Sequence, residues 1–83
     1  MSKSTYHGLH QWFKRVYERL GWMVLAHHKG YDDKIICYKN EIKRLESSLK
    51  DKIKTIKDED KKEDLKILLD YVKVLKEHVK KDF

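Results

Sequence analysis

His7 and His10 stand three residues apart and His27 and His28 are adjacent, so helices carrying them could offer imidazoles to a metal ion, with Cys37, Asp32 or Asp33 as a further ligand. A strong zinc signature pairs Cys or His at both ends of a loop, and this spacing does not. His27 also falls on an apolar stripe, where packing or capping is the plainer role, while His28 is expected to face solvent. The pattern predicts no metal and no cofactor. Cys37 would become a nucleophile if an imidazolium lowered its pKa. Nothing in the spacing aims one at it, and beside Ile36 at the start of an amphipathic helix it reads as a small packing residue. A glycine-rich phosphate loop, a Gly-x-Ser-x-Gly elbow and a carboxylate pair in apolar surroundings are all missing from the sequence. Asp58-Glu59-Asp60 reads as a solvated helix cap. No catalytic residue is assigned, and the chain is expected not to be an enzyme.

The remaining chemistry is electrostatic. From Lys34 to Lys57 eight Lys and Arg face three acids, Glu41, Glu46 and Asp51. Lys39, Lys43, Arg44, Lys50, Lys54 and Lys57 could hold a nucleic-acid backbone through counterion release. The groups are mostly Lys rather than the forked Arg that reads guanine, so contact of this kind would be non-specific. Over the whole chain 20 Lys and Arg are interspersed with 14 Asp and Glu, giving +6, which fits a solvated helical exterior as well as an anionic partner.

The elements that must position these groups are legible from punctuation, since there is no proline and only three glycines. Leu9, Trp12, Phe13, Val16, Leu20, Met23 and Val24 recur at helical spacing, predicting a first helix over about 5–28 capped by Ser4 or Thr5 and stopped by Gly30 in a left-handed conformation. Asp32 or Asp33 would cap a second helix, about 32–57, with a near-heptad seam of Ile35, Tyr38, Ile42, Leu45, Leu49 and Ile56, and Ile53 beside it. Extending that heptad puts Glu63 and Asp70 on the seam, whereas the apolar residues lie two positions later. The stripe must therefore reset between Lys57 and Lys62, which places a turn at Lys57-Asp58-Glu59-Asp60. A third helix, about 60–81, would open on the box-like Asp60-Lys61-Lys62-Glu63 and bury Leu65, Leu68, Val72, Leu75 and Val79. Short links between neighbours predict an all-α, antiparallel three-helix bundle, a single domain over 1–83.

Eighty-three residues make a thin core. Surplus apolar surface remains at Ile67, Tyr71, Val74 and His78, about half a turn from the third helix's main row, and at Trp22, Leu25 and Ala26 off the first helix's stripe. Such surplus marks contact surfaces, so Trp22, Leu25, Ile67, Tyr71 and Val74 are assigned to an interface with a second copy or another protein. The longest apolar run, Trp22 to Ala26, is five residues, far short of the roughly 18 that span a bilayer, so no membrane insertion is expected. Met1 to Thr5 leads into no apolar signal region, and a lone cysteine cannot form an internal disulfide; both fit a reducing, intracellular setting.

The strings His10-Gln11-Trp12-Phe13-Lys14, Leu20-Gly21-Trp22-Met23-Val24-Leu25-Ala26, Asp60-Lys61-Lys62-Glu63-Asp64-Leu65 and the ending Lys80-Lys81-Asp82-Phe83 resemble those of short helical proteins of large double-stranded DNA viruses of algae and protists. The resemblance runs over nearly the whole chain. It implies a viral product made in an infected cell or carried in the virion, and it assigns no residue a role. The leading expectation is a non-enzymatic, self-associating structural or interaction module. The alternative is a non-specific nucleic-acid-binding accessory protein.

Overall fold

The structure is a computed structural model that describes residues 5–82. Among these, every regular element is an α-helix: α1 Tyr6–Glu18, α2 Leu20–His28, α3 Asp32–Thr55 and α4 Glu59–Asp82.

Thr5 opens α1, its Oγ1 accepting the Gly8 N–H at 2.9 Å, which satisfies one of the free amides of a first helical turn. The expected single helix over 5–28 is divided at Arg19. There ψ falls to −6°, and the Arg19 N–H reaches back to the carbonyls of Arg15 and Tyr17. Gly21 follows two residues later, a poor helix former that adds little resistance to a change of direction. The break rotates α2 relative to the α1 stripe, with two corrections as its result. Val24, expected inward, is 41% exposed, and Ala26, expected outward, is buried.

Gly30 ends α2 at φ 75°, the left-handed conformation anticipated for it, with its N–H on His27 O and the Tyr31 N–H on Ala26 O. Asp32 and Asp33 do not cap α3. Tyr31 occupies the cap position without a side-chain bond, and both acids lie in the first turn, where their charge complements the helix dipole. At its other end α3 stops at Thr55 rather than at 57. Ile56 is extended, donates to Lys52 O at 2.8 Å and packs half-buried against the core. Asp58, not Asp60, caps α4: its carboxylate accepts the N–H groups of Asp60 and Lys61 at 3.0 and 3.2 Å, so the helix starts one residue before the expected box.

One core joins α1, α3 and α4. Leu9, Trp12 and Val16 meet Tyr38, Ile42, Leu45 and Leu49 and the full row Leu65, Leu68, Val72, Leu75 and Val79. These are the residues that the spacing of three and four placed inward. Cross-links fix the neighbours: the Tyr38 hydroxyl donates to Val16 O at 2.7 Å, Arg19 pairs with Glu41, and Lys76 pairs with Glu46 at 3.1 Å. The molecule measures 44 × 25 × 16 Å.

Candidate functional site

On α4 the spacing 67, 71, 74, 78 puts a second row about a third of a turn from the core row, nearer than the half turn expected, and the row stays outside. Ile67, Tyr71 and Val74 are all exposed, Val74 by 68%. They do not stand alone. Phe13 and Tyr17 of α1 and Leu20 of α2 line the same groove with Tyr71, Val74, Leu75 and His78. The Phe13 and Tyr71 rings stack at 6.4 Å and Phe13 lies 6.0 Å from Tyr17. Ile67 continues the groove toward His10 and Asp64. An aromatic-walled groove without a charged residue in its middle offers hydrophobic and edge-to-face contacts to another apolar surface.

Trp22 and Leu25, assigned to the same interface, are exposed as well, Trp22 by 69%. Trp22 lies elsewhere, in a hollow with Trp12, Arg15, Glu18, Arg19 and Glu41 on the α3 side of α1. The five assigned residues therefore belong to two surfaces.

The histidines and Cys37 are not gathered. Among the described residues no group of three or more His, Cys, Asp or Glu could hold a metal ion. His27, expected packed or capping, is exposed in the last turn of α2, its ring 6.0 Å from that of His28. Cys37, expected to pack, is exposed too, in a shallow hollow with Arg19, Asp33, Glu41 and Arg44.

His10 has a partner that periodicity along one helix does not announce. Its Nε2 lies 2.9 Å from Asp64 Oδ2, and the same oxygen accepts the Tyr6 hydroxyl. The bond from Tyr6, aided by His10, outweighs partial desolvation and holds Asp64 below the usual carboxylate range. The same bond, with desolvation and the charges of Asp64 and Asp58, raises Tyr6. Lys61 sits over the Tyr6 ring at 5.4 Å. A phenol that holds its proton and a carboxylate that stays ionised are poor proton-transfer partners near neutral pH, so the cluster acts as a fastener between the starts of α1 and α4. The one available sequence signal was Tyr6 and His10 at i, i+4; Asp64 joins only through the tertiary fold.

The assigned basic residues also divide. Lys39, Lys43, Lys50 and Lys54 lie at successive spacings of four, seven and four, one strip of α3. Arg44 points to the hollow beside Arg19 and Glu41, and Lys57 lies in the link after α3. Lys39 and Lys43 face Lys76 and Lys80 of α4 across a groove floored by Ile42 and Val79.

Comparison with protein-family models, curated proteins and solved structures returns no match. The chain is thus defined by its own structure: an all-helical protein in which no helix among the described residues is long and apolar enough to cross a membrane.

Proposed function

We propose that this chain is a non-enzymatic helical interaction module, in which α1, α3 and α4 form an antiparallel three-helix bundle that associates with a second copy through the α1–α4 groove. The bundle reading is supported by the contacts between helices: Tyr6 and His10 reach Asp64 and Phe13 reaches Tyr71, so α1 and α4 run the same way, whereas α3 and α4 are joined at one end by the short link 56–58 and meet again at Glu46 with Lys76 and at Ile42 with Val79, as neighbours running in opposite directions do. The observation that carries the association is the exposed row Ile67, Tyr71 and Val74 continued by Phe13 and Tyr17 into one aromatic groove. Two copies of a +6 chain repel, and association is cheapest where their charges are farthest from the contact. The groove is lined by Phe13, Tyr17, Leu20, Tyr71, Val74, Leu75 and His78, with no Lys, Arg, Asp or Glu among them. Trp22 and Leu25, three residues apart on α2 and both exposed, lie off this groove, Trp22 beside the charged residues Arg15, Glu18, Arg19 and Glu41, and are available to another protein. The resemblance to short viral proteins suggests the setting, an infected cell or the virion.

Sedimentation equilibrium from micromolar to millimolar protein tests this reading. Association is expected for the parent and its loss in Tyr71→Lys/Val74→Lys, with helicity unchanged by circular dichroism. A parent that stays monomeric over the whole range would overturn it. Trp22→Ala is expected to leave self-association intact, because Trp22 lies off the groove.

A further inference from the structure

The lysine strip on α3 has a counterpart that a charge count along the chain hides. On α4, Lys62, Lys66, Lys73, Lys76 and Lys80 follow spacings of four, seven, three and four, again one strip of a helix. Both strips flank the same groove. Glu41 marks the α1-facing side of α3 through Arg19, and Glu46 marks its α4-facing side through Lys76. The α3 lysines lie beyond Glu46, away from α1, and Lys39 and Lys43 meet Lys76 and Lys80 across Ile42 and Val79. Nine lysines thus share one broad face with a single inward carboxylate, Glu46, already engaged by Lys76. Glu63, which pairs with Lys66 at 3.5 Å, borders the α4 strip on its outer side together with Asp70 and Glu77.

We infer that this face binds the phosphate backbone of a double-stranded nucleic acid without reading its sequence. Length and spacing fit. The α3 strip runs about 22 Å and the α4 strip about 27 Å at 1.5 Å per residue. Packed helices lie about 8–10 Å apart, close to the roughly 12 Å between the backbones that flank a major groove. The side-chain chemistry excludes the finer modes of recognition. Lysine is a point charge and lacks the fork that pairs with guanine, and no arginine stands in either strip. Single strands are held by stacking bases on aromatic rings. No aromatic residue stands in either strip: Tyr71, Phe13 and Tyr17 line the groove with α1, and Tyr38 is buried. A shape-indifferent array of ammonium groups suits the dense, regular charge of a duplex, about one per 1.7 Å of axis.

The test is fluorescence anisotropy of a labelled mixed-sequence duplex of about 20 base pairs, titrated between about 50 and 200 mM salt, the range over which counterion release is most legible. Six phosphate contacts should give a log–log salt slope near −5 and about a thousandfold loss of affinity across that range. Lys43→Gln/Lys50→Gln/Lys54→Gln on α3 and Lys62→Gln/Lys73→Gln/Lys80→Gln on α4 should each flatten the slope by roughly 2–3. Lys14→Gln/Arg15→Gln/Lys34→Gln, off the face, should leave it unchanged, and circular dichroism should show all three variants equally helical. No binding at the lower salt overturns the inference, as does an α4 variant with the parent slope or an off-face variant that loses as much. A single strand of equal length bound as tightly as the duplex overturns the assignment to duplex. Binding to phosphatidylserine vesicles without binding to duplex would make the face a lipid-binding surface instead.

Discussion

Replacing Tyr38 by Phe removes one oxygen atom, and the structure says what that oxygen does. Val16 sits in the last turn of α1, just before the break at Arg19, and the Tyr38 hydroxyl donates to its carbonyl at 2.7 Å in a site only 3% exposed. A hydrogen bond of this kind contributes about 1 kcal/mol net, and an acceptor left buried and unmet adds to the loss, so Tyr38→Phe should destabilise by about 1–2 kcal/mol. For a domain of this size the melting midpoint should fall by about 5–15 °C. Urea titration followed by circular dichroism should show a lower midpoint at constant m. A second readout comes from pH. Burial, only partly countered by Arg19, pushes the Tyr38 hydroxyl up to about 12, so its contribution is complete below the ordinary value of 10 and is lost as pH rises toward 12. Tyrosinate absorbance should contain a component titrating near 12 that vanishes in Tyr38→Phe. The reasoning fails if the urea midpoint does not move, or if that alkaline component survives the substitution.

Two further outcomes follow from the same geometry. Gly30→Ala should cost about 1 kcal/mol, because a Cβ there meets no atom within 4 Å and the penalty is that of the left-handed backbone alone; Gly30→Asn should cost less in the same thermal melt. Asp64, held below its ordinary 3.8 first by Tyr6 and then by His10, contributes stability that is present above about pH 4 and lost as acid passes through its folded pKa. Asp64→Asn should therefore melt below the parent at neutral pH and converge with it at pH values where the parent carboxylate is protonated; a gap that persists undiminished into acid would remove the fastener.

The helical rows were readable because each apolar residue repeats with the helix. The reset after Lys57 was readable because the second seam would otherwise bury Glu63 and Asp70, and Gly30 because little else ends a helix in a chain without proline. What periodicity hid were rotations and meetings. A one-residue break at Arg19 exchanges Val24 for Ala26, yet the letters on either side continue a plausible helix. Tyr31, which has no capping oxygen, stands where Asp32 looked the better residue. Asp64 meets His10 from 54 residues away, which no local pattern encodes. The α4 lysines were visible as letters but cancelled in a linear tally, since Glu59–Asp82 holds seven Lys and seven Asp or Glu; around the helix axis Lys62, Lys66, Lys73, Lys76 and Lys80 gather on one strip.

Helix α4 consequently works as three rulers laid side by side, and genetics could read them separately. Damage to Leu65, Val72 or Val79 should yield temperature-sensitive alleles. Changes at Ile67, Tyr71 or Val74 should leave a stable but solitary molecule, and losses among Lys62, Lys73 and Lys80 should spare both heat tolerance and stoichiometry. A single mutagenised helix can therefore supply separation-of-function alleles for the whole protein.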